Sequence, residues 1–427
     1  MTLKASGVKV VPISLIEEVN RSGPVQIENR EELDLLLQFQ HEIGTILYFS
    51  IEGLREKIIL DPQWLIDAQK SLITAEMFIK MKPAITKRWN EFKKKGKLTQ
   101  ELIDAVWTKE NKPEFHDNKE HILLLMEHLN IIAKPKSFST DGNTVTMENY
   151  FLEPCMLRTT TPKEVISPKS IPNMESLSVL CYVFTGNFLP SPIFHHLLAA
   201  CMNHWAIAKK KNSEDLIFCG SCVFDLDSHH GLTVFFIDYI IFAQVTKMST
   251  TEKTPSSKLC IEVREFITII LFNIIGYLGQ NLRFELSIRC PKSDGYSEDC
   301  LLPFANLKEN VDYLCHFHDE PHMIVCYEVL KFWYQEEDQL EYNGHHVWVD
   351  VKDMGPQLSH RMAKAVEMAH VVLVCMSDRY KKSKNCRKEA TYADEKNKTV
   401  IPLKMEQDFT RDGWLGILTA DKTSISQ

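Results

Sequence analysis

The C-terminal part of the chain alternates between short apolar segments and segments with helical spacing, and this order constrains the fold more than any other feature. The apolar segments lie around Trp348, Val374 and Ile401. Strands that are apolar throughout and are joined by helices are typical of a parallel sheet covered on both faces. The sequence therefore predicts that the three segments lie side by side in one direction, as part of one α/β layer.

A spaced run of residues follows the central apolar segment. Its members recur at every third position and are Ser377, Tyr380, Ser383, Cys386 and Glu389. Together with Trp348 and the acidic loop after it, this run resembles the TIR domain family. The resemblance assigns the family's BB loop to residues 351–357. The candidate protein-binding residues are this loop and the residue before it, namely Asp350, Val351, Lys352, Asp353, Met354, Gly355, Pro356 and Gln357. It implies one of two functions, because TIR domains either assemble signalling complexes or cleave NAD.

In the branch of the family that cleaves NAD, one helical glutamate acts in catalysis, and its place in the run is that of Glu389. Cys386, Ala390 and Ala393 mark the apolar face of the predicted helix, and Glu389 falls at the edge of that face. A carboxylate that borders a core is costly unless it has partners or a function. Two roles stay open: catalysis with NAD as substrate, or a structural contact with a basic neighbour.

The TIR-like pattern is incomplete at both ends. A TIR sheet opens with an apolar strand and a helix, but residues 336–343 are largely acidic. Either the nearest strand-like run, residues 323–327, is a shortened replacement, or the first strand and helix are absent. Only nine residues follow Leu418, which we expect to be too few for the usual last strand and helix. A cut-down sheet favours assembly with a partner over an enclosed pocket.

The N-terminal region predicts short helices and small β-ribbons in a winged-helix-like arrangement. Asp61 and Pro62 are a favourable N-cap and first residue of a helix, and Gly44 stands where a helix ends. The region resembles the first half of a COR domain, the module that follows the GTPase in Roco proteins. The segments that carry this resemblance are residues 35–49, 60–65, 96–98 and 150–154.

In the middle region we predict a strand at residues 179–184, an antiparallel meander of strands at residues 216–218, 221–224, 233–237 and 240–245, and a long helix over residues 261–278. Asp238 lies within an apolar run and is expected to be a solvent-facing strand residue rather than a catalyst. Phe184, residues 188–190 and Phe194 resemble the opening of the second COR half, a sheet packed on a helix. The resemblance implies a homodimer formed through this region. The phosphate-binding pattern G-x-x-x-x-G-K-[ST] does not occur in the sequence, so we expect no GTP site of that type.

The predicted architecture is therefore a multidomain chain of α/β and α+β parts. Its domains are a winged-helix-like, COR-like first half (residues 1–160), a COR-like second half of mixed sheet and helices (residues 176–330) and an incomplete TIR-like domain with a partial flavodoxin-like parallel sheet (residues 341–427).

Composition bounds the partners and the compartment. A net charge of −8 and a pI near 6.1 argue against a general nucleic-acid binder. The basic stretch of residues 87–97 leaves a winged-helix DNA binder as a third alternative. Twelve scattered cysteines are typical of a reducing compartment. We expect neither a leader nor a membrane span, since the N-terminus lacks a charged-then-apolar pattern and the longest apolar stretch, residues 266–278, is too short. The expected location is the cytoplasm.

Residues 290–326 are rich in cysteine and histidine. The candidate zinc ligands are Cys315, His318, His322 and Cys326. Their spacing matches no standard zinc finger. The alternative, in which the histidines cap helices and the cysteines fill small core sites, is favoured, so no resident metal or cofactor is predicted.

These features predict an intracellular signalling scaffold, with innate immunity as the implied setting. Its COR-like body dimerises, and the BB loop with the helix of residues 358–368 recruits other TIR-domain proteins. The alternative is an NAD hydrolase that uses Glu389.

Overall fold

The computed structural model divides the chain into two units, residues 1–345 and 346–427. The residues that the structure describes are 7–23, 26–74, 83–109, 112–138, 145–166, 179–210, 214–247, 254–277, 282–293, 296, 301–309, 312–315, 321–334, 363, 365–405, 409–410, 412–420 and 425–426. The predicted strand at Trp348 and the whole predicted BB loop lie outside them.

The first part of unit 1 is built of short helices and short strands. Its helices are α1 (Ile13–Ser22), α2 (Arg30–Glu42), α3 (Pro62–Ile73), α4 (Pro83–Lys95), α5 (Gln100–Val106), α6 (Pro113–His116) and α7 (Lys119–His128). Its strands are β1 (Val10–Pro12), β2 (Lys57–Ile59), β3 (Gly96–Thr99), β4 (Lys136–Phe138), β5 (Val145–Met147) and β6 (Tyr150–Leu157). Antiparallel pairs form between β1 and β2 and between β3 and β6.

Local signals position the helices of this part, and buried aromatic rings hold them together. The Asp61 carboxylate accepts the N–H of Gln63 at the start of α3, which confirms the predicted cap. Phe115 lies between Trp64 and Trp107, with ring centroids 5.4 and 5.8 Å away. Each ring buried in this way stabilises the fold by roughly 1.5–3 kcal/mol.

The second part of unit 1 is dominated by one large sheet. Its helices are α8 (Lys163–Ile166), α9 (Ser191–His204), α10 (Ser257–Tyr277), α11 (Phe304–Glu309) and α12 (Cys326–Leu330). Its strands are β7 (Val179–Phe184), β8 (Ala206–Ile207), β9 (Ile217–Phe218), β10 (Ser221–Asp225), β11 (His230–Ile237), β12 (Ile240–Lys247), β13 (Phe284–Arg289), β14 (Leu301–Pro303), β15 (Asp312–Cys315) and β16 (His322–Val325).

The strands of the large sheet follow the order β14-β13-β7-β12-β11-β10-β8-β4-β5, with β9 paired to β10. The strands β4 and β5 of the first part thus continue the sheet of the second part. Alternate residues of β11 and β12 enter two cores, so the sheet is buried on both faces. One core takes in α9 and α10, and the other contains the stacked pair Phe235 and Phe242, whose ring centroids are 4.9 Å apart.

Two local expectations in unit 1 are corrected by the strand pairing. Asp238, expected to be a solvent-facing strand residue, lies in the turn between β11 and β12 with φ +52°, a conformation that aspartate tolerates better than most residues. Residues 323–327 do not replace the first strand of the TIR-like sheet. Most of this run belongs to β16, which pairs antiparallel with β15 inside unit 1.

Unit 2 is a small parallel sheet with helices. Its described elements are β17 (Val371–Met376), α13 (Asp378–Lys382), α14 (Lys384–Glu395), β18 (Thr399–Lys404), α15 (Gly413–Leu418) and β19 (Ile425–Ser426). The predicted parallel pairing of the Val374 and Ile401 segments is confirmed, with Val371 opposite Thr399. From the sequence, the tail is expected to be too short for the usual last strand and helix. The part of this expectation that concerns the strand is wrong, because the short strand β19 adds to β18 in parallel with Leu403 opposite Ile425.

Within the described residues, no helix is both long enough and apolar enough to cross a membrane.

Candidate functional site

Two serines of the spaced run start the two helices that follow β17. The Ser377 hydroxyl oxygen accepts the N–H of Tyr380 at 3.1 Å at the start of α13. The Ser383 hydroxyl oxygen accepts the N–H of Cys386 at 3.3 Å at the start of α14. Each cap satisfies a backbone donor that the helix leaves unbonded. The spacing of the run therefore has a structural cause, since it places one cap at the head of each helix.

Trp414 of α15 joins the helices of this unit. Its ring lies over Tyr380, with centroids 6.3 Å apart and planes inclined by 28°. Its indole N–H donates to the backbone oxygen of Lys381 at 3.0 Å. The guanidinium of Arg387 is 5.8 Å from the ring centroid, and Lys381 forms an ion pair with Asp412. Sequence reasoning did not assign Trp414 a role, although a tryptophan in a short apolar helix was a visible signal.

Glu389 lies on α14 at the edge of the core, as the sequence predicts. Ala390 and Ala393 of the same helix are fully buried, and Glu389 is half-buried. Burial raises the pKa of the Tyr380 phenol, and the nearby charge of Glu389 raises it further. The phenol therefore stays protonated beside the carboxylate. Such a pair offers one hydrogen-bond donor and one anionic group, which is suited to holding a polar or positively charged group.

One face of β17 is apolar and exposed. Val374 and Met376 point into the core of the unit, while Val371 and Leu373 on the opposite face are 45% and 38% exposed. Cys375 shares that exposed face. Exposed apolar surface of this kind marks sites of protein contact when it is contiguous.

The cysteine and histidine candidates of unit 1 are only partly brought together. Cys315 and His322 lie close to each other, and Cys290 joins them to form a group of three possible metal ligands. Cys326 is not in this group, because its thiol points to the backbone oxygen of Ile324. His318 lies outside the described residues. No local pattern distinguishes Cys290 from the neighbouring cysteines as a ligand.

Comparisons with known proteins agree with both resemblances. The model of the family described as "C-terminal of Roc, COR-A domain" matches residues 10–157, and that of the family described as "TIR domain" matches residues 334–425. The chain is 24% identical over 206 residues to the probable serine/threonine-protein kinase pats1 of Dictyostelium discoideum. It is 44% identical over 45 residues to the probable serine/threonine-protein kinase roco11 of the same organism. These matches cover 47% and 10% of this chain, but only 6% and 3% of the two relatives.

Proposed function

We propose that this chain, which carries a COR-A domain followed by a TIR domain, is a signalling adaptor. Its first unit joins two copies of the chain into a homodimer, and its C-terminal domain recruits other TIR-domain proteins. The order of the two domains is the observation that carries this proposal, because both point to a signalling or adaptor role. The kinase named in the relatives is not part of it, since the chain spans only 6% of pats1 and 3% of roco11.

Two exposed apolar surfaces support a role in protein contacts. One is the face of β17 that carries Val371 and Leu373. The other is at the C-terminal end of α2, where Leu36 and Phe39 of the helix and Ile43 just after it follow one another at helical spacing and are 42%, 55% and 53% exposed. We assign the α2 face to contacts of the first unit. The β17 face, with the predicted BB loop, serves the recruitment of TIR domains.

The proposed setting is the cytoplasm, in innate immune signalling. No cysteine among the described residues forms a disulfide, which is typical of proteins in a reducing compartment. We also propose that the first region has a winged-helix-like fold and that the C-terminal domain has a flavodoxin-like fold.

Reversing one charge in the BB loop tests the recruitment. We expect Asp353→Arg to weaken the binding of purified TIR domains to the immobilised full chain by at least about tenfold, because a like charge placed against a complementary surface costs several kcal/mol. Biolayer interferometry gives the dissociation constants. The matched control is Glu395→Arg, the same reversal at an exposed position at the end of α14.

Equal affinities of both variants and the unchanged chain would contradict the assignment of the BB loop. The pairing of copies is checked on the same preparation by sedimentation velocity. A monomer mass at micromolar concentration would contradict the proposed homodimer. The proposed recruitment of TIR domains would still be tested separately by the Asp353→Arg variant.

A second candidate function, NAD hydrolysis, is favoured by one observation. Glu389 is half-buried on α14 beside the protonated Tyr380 phenol, which is the position that the TIR resemblance gives to a catalytic carboxylate. In this role Glu389 stabilises the positive charge that develops on the ribose as the bond to nicotinamide breaks.

An enzyme of this kind is expected to release nicotinamide from NAD, and Glu389→Ala is expected to lower the rate by about a hundredfold or more. Release is followed by chromatography with the purified full chain. Glu395→Ala on the same helix serves as the control and should retain the full rate. If the folded chain releases nicotinamide no faster than a protein-free blank, Glu389 has a structural role and the adaptor function stands alone.

A further inference from the structure

Three strand ends of unit 1 bring two thiols and an imidazole to one point. Cys290 directly follows β13, Cys315 is the last residue of β15, and His322 is the first residue of β16. Cys315 and His322 face each other across the antiparallel hairpin of β15 and β16. Cys290 comes from 25 residues earlier in the chain than Cys315. The group therefore joins the hairpin to the end of a strand in the large sheet.

The distances within this group match those between the ligands of a tetrahedral zinc ion. The sulfur atoms of Cys290 and Cys315 are 3.9 Å apart, and the Cys290 sulfur is 3.4 Å from Nε2 of His322. The three ligand atoms all lie within 4.8 Å of one another. With zinc–sulfur bonds of about 2.3 Å and zinc–nitrogen bonds of about 2.05 Å, tetrahedral angles require about 3.8 Å between two sulfurs and about 3.6 Å between sulfur and nitrogen.

The surroundings also suit a zinc ion. Cys290 and Cys315 are completely buried and belong to the large apolar core of unit 1, while His322 is partly exposed. Two thiolates and one neutral imidazole balance the charge of a divalent ion, so the bound site has no net charge and does not carry the cost of a buried ion. The half-exposed imidazole leaves a route from solvent by which the ion enters.

We propose that Cys290, Cys315 and His322 bind a structural zinc ion that fastens the hairpin of β15 and β16 to the end of β13. Among the described residues no fourth side chain joins the group. The fourth position is therefore taken by water or by a ligand from the rest of the chain. Sulfur and imidazole ligands at these distances favour zinc over magnesium or calcium, which prefer oxygen.

Metal analysis of the purified full chain tests the proposal. After saturation with zinc chloride and removal of unbound metal, we expect inductively coupled plasma mass spectrometry to find about one tightly bound zinc ion per chain. Cys315→Ser and His322→Ala are each expected to reduce the bound zinc at least about fivefold, because each removes one of three ligands. Cys326→Ser is the matched control, since that thiol is buried in the same core but lies outside the group.

A spectroscopic measurement keeps the test valid if Cys315→Ser fails to fold. Cobalt(II) added to the unchanged, metal-depleted chain is expected to give thiolate-to-cobalt charge-transfer absorption and the intense visible bands of a tetrahedral site. His322→Ala alters a partly exposed residue at the start of a strand, so circular dichroism is expected to show an intact fold while these bands are lost.

Two results would overturn the proposal. One is a folded, reduced chain that retains less than about 0.2 zinc ions after saturation. The other is a His322→Ala variant that holds as much zinc and gives the same cobalt spectrum as Cys326→Ser and the unchanged chain.

Discussion

Gly96→Ala is expected to destabilise the chain by about 3 kcal/mol. Gly96 has a φ of +67°, a left-handed conformation that costs an alanine roughly 1–2 kcal/mol. A Cβ atom at this position would lie 2.7 Å from the backbone oxygen of Glu153 and 3.4 Å from the side chain of Leu157. The backbone oxygen belongs to β6, which is paired with β3, so it cannot move aside without loss of strand pairing.

Gly44→Ala is the matched control for this substitution. Gly44 has a nearly equal φ of +73°, but a Cβ there would meet no atom within 4 Å. We expect it to cost only about 1 kcal/mol, which is the conformational part alone. Urea unfolding of the full chain, followed by tryptophan fluorescence, gives the free energy of unfolding for both variants. If both variants lose the same free energy of unfolding, β6 moves away from the added Cβ atom at no cost. The close contact with Glu153 is then not the reason that position 96 requires glycine.

The comparison of these two glycines shows which part of the fold is readable from the sequence. Gly44 ends α2 and stands within a local pattern, so its role follows from the residues around it. The turn at Gly96 is visible in the sequence as well. Its steric cause is not, because Glu153 is far away in the chain and approaches Gly96 only through the pairing of β3 with β6.

In the large sheet, too, features set by local sequence could be predicted, and features set by contacts between distant segments could not. The segments of β7, β10, β11 and β12 are predicted from local apolar patterns and turn residues, and the structure confirms them. The continuation of that sheet into β4 and β5 could not be predicted. It depends on a parallel contact between Lys136 and Ala206, and no local pattern encodes such a pairing.

In the candidate sites, contacts between residues close in sequence could be predicted, and contacts between residues far apart in sequence could not. Ser377 and Ser383 are recognisable from their spacing, because a helix cap acts over three residues. The stacking of Trp414 on Tyr380 and the approach of Cys290 to His322 join residues more than thirty positions apart. A motif search along the chain finds the first kind of contact but not the second. For this reason the sequence proposed Cys326 as a ligand and did not single out Cys290.

Glu153→Gln is expected to make the chain more stable at alkaline pH while leaving it almost unchanged near pH 5. Glu153 of β6 is completely buried, and burial raises the pKa of its carboxyl group to about 7. One carboxylate oxygen accepts hydrogen bonds from the Gln69 amide at 3.0 Å and from the Cys155 thiol at 3.4 Å. The other oxygen has no hydrogen-bond partner. The ionised form is therefore disfavoured in the folded chain.

The sign of the pH dependence follows from proton uptake. The ordinary glutamate pKa of 4.5 applies to the unfolded chain, and the raised pKa of about 7 applies to the folded one. Between these values the folded state binds one proton more than the unfolded state, so this group's contribution to stability falls as pH rises. The loss of stability caused by this carboxyl group reaches its full value of about 3 kcal/mol above pH 7, and it vanishes below pH 4.5.

Glutamine is neutral at every pH and has nearly the same shape as the protonated acid. We therefore expect the free energy of unfolding of Glu153→Gln to exceed that of the unchanged chain by about 2–3 kcal/mol at pH 8 and by less than about 1 kcal/mol at pH 5. The buried His121 and the half-buried His195, whose pKa is lowered to about 4 by loss of solvation, act in the opposite direction. Both proteins contain them, so their effect cancels in the difference.

Urea unfolding at half-unit steps from pH 5 to pH 8 gives this difference directly. Glu120→Gln on the exposed face of α7 is the matched control, and its stability should follow the unchanged chain across the range. If the Glu153→Gln and unchanged curves run parallel, the carboxyl group ionises in the folded chain as easily as in the unfolded one. In that case water or a cation must reach the second oxygen, because an ionised carboxylate in a dry core would lower the stability as pH rises.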